Sequence, residues 1–304
     1  YSLVEDIDWT EKKSDIKNYK LSELIYWFKT PQKYWLNKKN ISPKEIFIHH
    51  PDEEYVSNLQ KSQLITKIIQ QLEIDNHNII DDLNELNIND QLAENGIIMP
   101  KNSIFTKEKE IKDLLSSLSA SLSQHNKINK IYVKLNANKE EYLIADDTVI
   151  ELINAKLSLS RLTEAWIKLL FISSLKRNIK RTKVIFRTEN NYKSQIIQSP
   201  GATESNLILE EYINIFKNYS EKCLPLPPES AYKYVEAKIK SKNEKKAFTD
   251  KWIGNKNFSK GERDNIEMKM CFGNEKEPDF FLGNNNFDQL SYRLYGPLIK
   301  ALKK

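Results

Sequence analysis

The first third of the chain carries apolar residues at helical spacing. Residues at i, i+3, i+4 and i+7 lie on one face of a helix, so a set repeating at that spacing predicts an amphipathic helix. Such helices are predicted with apolar faces formed by Leu21, Leu24, Ile25 and Phe28, by Leu59, Leu64, Ile65, Ile68, Ile69 and Leu72, and by Ile111, Leu114, Leu115, Leu118 and Leu122. Thr30 followed by Pro31 favours a second helix start after the first, because Thr is a good N-cap and Pro is tolerated at the first helical position.

From about Lys127 the apolar pattern changes to every second residue, which is typical of half-buried strands. This pattern predicts strands in segments 128–135, 141–153 with a turn at Asp146 and Asp147, and 184–187. Helices between and after these strands are predicted from the apolar faces Leu162, Ala165, Trp166, Leu169 and Leu170, and Leu207, Tyr212, Ile215, Phe216 and Tyr219. The order indicates a single domain, 1–304, with a helical lead-in over about 1–125 and an α/β core over about 126–304.

Composition narrows the class of protein. The 304 residues are 39% hydrophobic and 29% charged, which is enough to bury a core. No apolar run approaches the roughly 18 residues of a membrane-spanning helix, and the start of the chain has no signal-peptide pattern. Cys223 and Cys271 have no metal-ligand spacing and favour a reducing compartment, so we expect a cytoplasmic protein. Because the first residue is Tyr1 rather than Met, we expect a piece of a longer polypeptide.

Charge is unevenly distributed along the chain. Segment 68–100 holds seven acidic residues and no Lys or Arg, whereas segment 176–193 holds seven basic residues and one acidic residue, Glu189. This polarity suits a phosphate backbone on one side and a partner protein on the other, although solvated surface charge is the commoner cause of such runs.

Several segments, taken in order, resemble the C-terminal region of the RecC (exodeoxyribonuclease V gamma) family. They are LSELIYWFKTPQKYWL (21–36), PDEEYVSNLQKSQL (51–64), LAENGIIMPKNSIF (92–105), LSLSRLTEAWIKLLFI (157–172), PLPPESAYKY (225–234) and FDQLSYRLYGPLIKAL (287–302). The resemblance implies the last domain of a large subunit, with a restriction-endonuclease-like (PD-(D/E)xK-type) mixed sheet flanked by helices. It also implies RecB-type and RecD-type partner subunits, DNA as a ligand, and no cofactor.

Active nucleases of this fold need carboxylates that hold Mg²⁺ and a Lys beside the attacking water, in the pattern (Asp/Glu)-x-Lys. In segment 146–157, where the resemblance implies the site, Glu151 is followed two residues later by Ile153. Asp147 and Glu151 can form a surface pair, but an aliphatic residue at the Lys position predicts a degenerate motif. No metal ligand set is therefore expected there.

A rival nuclease motif is present in segment 261–273. Glu267 and Lys269 have the (Asp/Glu)-x-Lys spacing, and Asp264 precedes them. The segment alternates through Ile266, Met268, Met270 and Phe272, which predicts a strand with its charges facing solvent. Asp264 is too close in sequence to Glu267 for the usual geometry of two separate strands.

Histidine offers no stronger candidate for a metal ligand. His49 and His50 are adjacent and would point to opposite faces of a strand, and His77 and His125 stand alone. In active relatives of the RecB type a metal-binding His lies on the helix after the first motif. The corresponding segment here, 63–72, contains no His.

A strand-separating element needs an aromatic tip and flanking cations that hold phosphates. The basic segment with Phe186 and Tyr192 meets this requirement, and so does segment 232–260, where lysines alternate with Tyr234, Phe248, Trp252 and Phe258. We hypothesise a DNA-backbone contact surface formed by Arg177, Arg181, Lys183 and Arg187.

The function expected from these observations is that of a non-catalytic, nuclease-like domain. It would act in complex assembly, duplex splitting and strand guidance, while another subunit supplies the cleavage activity. Two alternatives stay open: an active Mg²⁺-dependent nuclease that uses Asp264, Glu267 and Lys269, and a scaffold that binds only proteins.

Overall fold

The computed structural model describes residues 3, 9, 20–42, 63, 65–66, 90, 101–125, 128–135, 138–176, 178–255, 259–273 and 276–302. Helices in the described residues are α1 (Leu21–Lys29), α2 (Pro31–Lys38), α3 (Lys101–Leu122), α4 (Leu159–Leu175), α5 (Ala202–Tyr219), α6 (Pro228–Ile239), α7 (Glu244–Ile253), α8 (Ile266–Phe272), α9 (Asp279–Leu282) and α10 (Asn285–Ala301), with a 3-10 turn at Glu262–Asp264. Strands are β1 (Asn129–Leu135), β2 (Asn138–Ala145), β3 (Thr148–Ile153), β4 (Arg181–Arg187), β5 (Tyr192–Gln198), β6 (Gly254–Asn255) and β7 (Ser259–Lys260). None of the described helices is long and apolar enough to cross a membrane.

The main sheet is mixed, and its five strands follow the order β1-β2-β3-β4-β5. Neighbouring strands are antiparallel except for β3 and β4, which run parallel. Parallel neighbours need a long connection, and here the connecting chain includes α4. The predicted α/β class and mixed sheet are confirmed. The predicted turn at Asp146 and Asp147 lies between β2 and β3, with Asp146 in a left-handed conformation at φ 54°.

The chain folds into two compact units. Unit 1 comprises Tyr1–Ile46, Leu159–Arg177 and Ser199–Lys304, and unit 2 comprises Phe47–Ser158 and Asn178–Gln198. Unit 2 contains the main sheet and α3, whose predicted apolar face is buried as expected. The hydroxyl of Ser117 on α3 accepts a hydrogen bond from the backbone N–H of Tyr192, at 3.0 Å, which ties α3 to β5.

Unit 1 has an aromatic core. Tyr212 of α5 is fully buried and donates a hydrogen bond to the Leu294 carbonyl at 2.8 Å, and the indole of Trp166 donates to the Tyr212 hydroxyl at 3.1 Å. The ring centroid of Phe28 lies 4.6 Å from that of Tyr212. Because Tyr212 belongs to α5, Trp166 to α4 and Leu294 to α10, this cluster joins α4 and α5, which the apolar spacing predicted, to α10.

The segment predicted as a strand at 261–273 is a 3-10 turn followed by helix α8, so that prediction was wrong. The buried side chains of α8 are Met268, Cys271 and Phe272, at helical spacing i, i+3 and i+4. Apolar residues at every second position also supply i, i+4 pairs, and Cys271 completes a helical face that strict alternation does not have. The helix ends at Gly273, whose φ of 81° suits glycine.

The 3-10 turn places a carboxylate at the start of another helix. Pro227, the N-cap of α6, has no side chain able to cap the helix, so the first N–H groups of α6 need another acceptor. Glu262 supplies it: its carboxylate accepts hydrogen bonds from the N–H of Glu229 at 2.9 Å and from the N–H and hydroxyl of Ser230, both at 2.6 Å. Burial raises the pKa of Glu262 to about 7, although these hydrogen bonds lower it.

Gly261 allows the turn to approach the end of α7. A Cβ atom built on Gly261 would lie 2.3 Å from the carbonyl oxygen of Trp252 and 2.4 Å from the carbonyl of Ile253. No side chain can occupy that space without a backbone shift. The position of Glu262 therefore depends on the residue before it.

Candidate nucleic-acid interface

The predicted DNA-contact residues lie along β4, except for Arg177, which is outside the described residues. Residues 181, 183 and 187 are separated by even intervals, and alternate residues of a strand point to the same face. Arg181, Lys183 and Arg187 therefore share one face of β4. Their surroundings differ, and each is considered in turn.

Arg181 belongs to a cluster at the beginning of β3 and β4. Its Nε donates to the hydroxyl of Thr148 at 2.8 Å, and its guanidinium lies 3.8 Å from the carboxylate of Asp147. The ammonium of Lys180 is 3.2 Å from the same carboxylate. A hydrogen bond from Thr148 and the two cations hold the pKa of Asp147 below its usual value. Asp147 thus offsets part of the positive charge at this end of the sheet.

Lys183 is buried, with 7% of its surface exposed, and its ammonium lies at the C-terminal end of α3. It donates to the carbonyl of Ser121 at 2.9 Å and to the side-chain oxygen of Gln124 at 2.7 Å. The last carbonyls of a helix have no partner inside it and carry partial negative charge, which a cation stabilises. Burial lowers the pKa of Lys183, and the charge of Arg181 lowers it further. In this arrangement the ammonium is engaged inside unit 2.

His125 follows α3 in the same neighbourhood. Its Nε2 is buried and has no hydrogen-bond partner within the described ranges. Burial lowers the pKa of His125, and the nearby charges of Lys183 and Arg181 lower it further, against a smaller effect of Asp146. The neutral imidazole is therefore favoured beside these cations.

Arg187 ends β4 and lines a groove at the β4–β5 hairpin. Its Nη1 is buried and has no acceptor in the part of the chain that the structure describes. The groove has a volume of about 480 Å³ and is lined by Lys156, Leu157, Phe186, Arg187, Thr188, Glu189, Asn190, Asn191 and Lys193. Three of these side chains are cations and one is a carboxylate. The arrangement favours an anion with hydrogen-bond acceptors.

The aromatic residues proposed for the strand-separating tip have different environments. Phe186 is half-buried and lines the groove. Tyr192 is buried, and its hydroxyl donates to the side-chain oxygen of Asn154 at 3.0 Å. Burial raises the pKa of Tyr192 to about 12, although the charge of Arg187 opposes the rise. Phe186 is thus the aromatic residue of this hairpin that a ligand in the groove can reach.

The second aromatic and basic segment, 232–260, packs its aromatic side chains into unit 1. Phe248 and Trp252 are fully buried, and Phe258 is outside the described residues. Lys238 pairs with Asp288 at 2.6 Å. Lys233 and Lys240 both pair with Glu236, at 2.7 Å and 2.6 Å. This segment presents amphipathic helices rather than an aromatic surface.

Glu151 and Ile153, which the resemblance compares with a nuclease motif, lie on β3. Glu151 and Ile153 are both half-buried and, two residues apart, face the same side of the strand. Glu151 pairs in register with Val184 and Ile153 with Phe186. Ile153 therefore occupies the position where the motif requires an ammonium group.

The rival motif at Asp264, Glu267 and Lys269 lies on the 3-10 turn and α8, not on neighbouring strands. One carboxylate oxygen of Asp264 accepts the N–H of Gly261 at 3.1 Å, and the other lies 3.7 Å from the ammonium of Lys269. The Asp264 carboxylate thus caps the turn and forms a surface ion pair. Among the described residues no three His, Cys, Asp or Glu side chains are grouped as a metal site requires.

Sequence reasoning left two groove cations out of the contact set. Lys193 is in the basic segment and pairs in register with Phe186, so a correct β5 would have put both on one face. Lys156 follows the end of β3 and forms an ion pair with Glu189 at 2.8 Å. The sequence signal that could have identified Lys156 as a contact residue is its position shortly after the predicted strand that contains Glu151.

Comparison with protein families identifies most of the chain. The family model of the RecC C-terminal domain matches residues 16–239, which is more than half of the sequence. Comparison with curated proteins gives no match. The matched range includes β1 to β5 and the groove.

Proposed function

Since the chain belongs to the RecC C-terminal domain family, we propose that it is a non-catalytic, nuclease-like domain of a RecC-type subunit. RecC is a subunit of the RecBCD complex, which acts in DNA repair and recombination, and nuclease activity in that complex lies mainly in RecB. The domain acts in assembly with RecB-type and RecD-type subunits, and in duplex splitting and strand guidance. The proposal treats residues 1–304 as one domain with a restriction-endonuclease-like fold, which the mixed five-stranded sheet supports.

The observation that carries the non-catalytic part of this proposal is Ile153. A phosphodiesterase of this type needs a cation beside its carboxylates to orient or activate water. Ile153 lies two residues from Glu151 on the same face of β3 and has no charge to supply. The engagement of Asp264 with Gly261 and Lys269 argues against the rival set.

The observation that supports DNA contact is the accumulation of cations on β4 and at its hairpin. Arg177, Arg181, Lys183 and Arg187 remain the proposed contact set, with Arg181 and Arg187 as the members best able to reach a phosphate. Lys183 is engaged by Ser121 and Gln124, so we assign it to the support of α3 rather than to the first encounter with DNA.

One experiment tests the DNA contact. The affinity of the 304-residue chain for forked DNA is measured between 50 and 200 mM salt, in the parent and in an Arg181→Glu and Arg187→Glu double variant, since a loss of phosphate contacts reduces both affinity and salt dependence. We expect at least a tenfold loss of affinity and a smaller salt slope. Equal affinity and slope in both proteins would contradict the DNA contact and favour a scaffold that binds only proteins.

A second experiment tests the absence of catalysis. The chain is incubated with labelled single-stranded and duplex DNA in the presence of Mg²⁺ or Mn²⁺, next to a Glu267→Gln variant. We expect no metal-dependent cleavage by either protein. Cleavage by the parent that Glu267→Gln abolishes would establish the alternative nuclease.

A further inference from the structure

We propose that the groove at the β4–β5 hairpin is a binding site for one phosphate and its base in single-stranded DNA, with Arg187 and Lys193 on the phosphate and Phe186 against the base. The inference rests on the proposed function and assigns its DNA contact to a particular groove. It adds Lys193, Lys156 and Phe186 to the contact set and predicts a preference for single strands.

One guanidinium nitrogen of Arg187, Nη1, is buried without a hydrogen-bond partner in the part of the chain that the structure describes. Buried polar groups in proteins nearly always have a hydrogen-bond partner, and a buried charged donor without one calls for an explanation. Nη1 of Arg187 has no acceptor among the described residues, and its side chain lines the groove. Guanidinium groups match phosphate oxygens with paired N–H donors, so a phosphate in the groove is an acceptor that Arg187 can use once its side chain turns to expose Nη1.

The other lining residues place a cation beside an aromatic ring. Lys193 is exposed and is the cross-strand partner of Phe186, so its ammonium and that ring share a face of the sheet. Arg187 points to the other face of β4, but as the last residue of the strand it lines the same groove from the end of the sheet. A cation beside an aromatic ring is the combination that single-strand binding proteins use, since the cation holds the backbone and the ring stacks on any base. The hairpin loop Thr188–Asn191 adds the side-chain amides of Asn190 and Asn191 to the same groove, while the Thr188 hydroxyl is engaged with Asn191.

The volume of the groove is also suited to a ligand the size of one nucleotide unit. A volume of about 480 Å³ lies within the range of roughly 300 to 1,000 Å³ found for sites that hold small organic ligands. A nucleotide unit fits such a space, and the face of a base inside a duplex is covered by its stacked neighbours and is not available to Phe186. The groove therefore favours a strand whose bases are already unpaired.

The ion pair between Lys156 and Glu189 lowers the net positive charge of the groove. Both side chains are largely exposed, at 75% and 78%, so their mutual attraction is weak and a phosphate can compete for Lys156. Glu189 also repels an approaching phosphate. Removing the Glu189 charge is expected to strengthen binding, which is the opposite effect from removing a lining cation.

The test uses fluorescence anisotropy with a labelled oligothymidylate and a blunt duplex of equal length. We expect the parent chain to prefer the single strand. Arg187→Gln and Lys193→Gln are each expected to weaken single-strand binding about five- to tenfold, and to reduce the slope of log K against log salt by about 0.7 per lost phosphate contact. Phe186→Leu is expected to weaken binding about threefold with no change in slope, and Glu189→Gln to strengthen it about threefold.

The matched control is Lys39→Gln, which removes one exposed positive charge from unit 1 and is expected to leave affinity and slope unchanged. Thermal unfolding of every variant checks that the fold is intact. If Arg187→Gln unfolds, the Lys193→Gln variant alone tests the site, because Lys193 is exposed and its substitution should not disturb the fold.

Three results would overturn the groove site. The first is parental affinity and slope in both Arg187→Gln and Lys193→Gln, while the parent still binds DNA. The second is equal loss in Lys39→Gln. The third is equal displacement of the labelled oligonucleotide by inorganic phosphate and by unlabelled oligonucleotide at the same concentration, which would indicate a small-anion site. No binding of the parent to any DNA would contradict the proposed function itself.

Discussion

Each compact unit contains a buried charge that satisfies one end of a helix, and the two charges have opposite signs. In unit 1 the carboxylate of Glu262 accepts the first N–H groups of α6, and in unit 2 the ammonium of Lys183 donates to a final carbonyl of α3. Both signs match the partial charge of the helix end that they contact. Burial raises the pKa of Glu262 and lowers that of Lys183, so in each case it favours the neutral form.

The two sites differ in how easily water can replace the charged group. The partners of Glu262 are the N–H groups of α6 and the hydroxyl of Ser230, which is fully buried. Of the partners of Lys183, Ser121 is half-buried and Gln124 is exposed. A lost hydrogen bond costs most where water cannot compensate for it. Burial of the partner, rather than of the charge alone, therefore decides how much such a contact contributes to stability.

The largest effect is therefore expected for Glu262→Ala. It leaves the N–H of half-buried Glu229 and the N–H and hydroxyl of buried Ser230 without an acceptor, and each such loss costs about 1 to 3 kcal/mol where water cannot replace it. We expect the free energy of unfolding at pH 5.5 to fall by about 4 kcal/mol, measured by chemical denaturation. Glu277→Ala, which removes an exposed carboxylate, is the control. A loss below about 1 kcal/mol for Glu262→Ala would contradict the claim that a buried partner gives this contact its large contribution to stability.

The same contact can be disturbed from the backbone side by Gly261→Ala. The added Cβ overlaps the carbonyl oxygen of Trp252, so the turn that holds Glu262 must shift, at a cost of about 3 kcal/mol. Denaturation curves check this loss. Gly283→Ala is the matched control, because its Cβ would lie 3.3 Å from the Asp279 carbonyl oxygen and should cost much less. Equal losses in the two variants would argue against the close approach.

Protonation of Glu262 makes stability depend on pH. Its folded pKa of about 7 is above the ordinary value of 4.5, so the folded chain binds a proton more tightly than the unfolded chain does. The contribution is present below pH 4.5 and is lost as the pH rises through 7. Between pH 5 and pH 8 we expect a loss on the order of 2 kcal/mol, seen by denaturation at each pH. Glu262→Gln should flatten this profile, and an identical pH profile in both proteins would contradict the shift.

The smallest effect is expected for Lys183→Met. It keeps most of the apolar stem and removes the ammonium, so α3 loses one charged donor at an end that water can reach. We expect a loss of about 1 kcal/mol in the free energy of unfolding, with exposed Lys180→Met as the control. A loss as large as that of Glu262→Ala would show that the exposure of the partner does not govern these contacts.

The sequence predicted the elements that have one regular apolar face. The predicted face of α3 from Ile111 to Leu122 is buried, and β1 to β4 overlap the segments that the alternating pattern predicted, although β2 and β4 each begin three residues earlier than predicted. Strand β5 was missed because its buried residues, Tyr192 and Ile197, are five positions apart and do not alternate. The predicted helix over 59–72 lies outside the described residues except for Gln63, Ile65 and Thr66, all helical.

The candidate site was less predictable than the fold. A basic residue on β4 looks the same in sequence whether it faces solvent, as part of Arg181 does, or ends a distant helix, as Lys183 does. That distinction depends on Ser121 and Gln124, which are about sixty residues earlier in the chain. The groove is likewise formed by two chain segments, 156–157 and 186–193, and only their assembly puts Lys156 beside Glu189.

The contact between Glu262 and α6 also has a consequence for the order of synthesis. Glu229 and its acceptor are 33 positions apart, and the acceptor comes later in the chain. At roughly 5 to 20 residues per second, translation supplies Glu262 roughly two to seven seconds after Glu229. During that interval the first amides of α6 have no Glu262 carboxylate to accept their hydrogen bonds, so the N-terminus of this helix is completed only after a later part of the chain has been made.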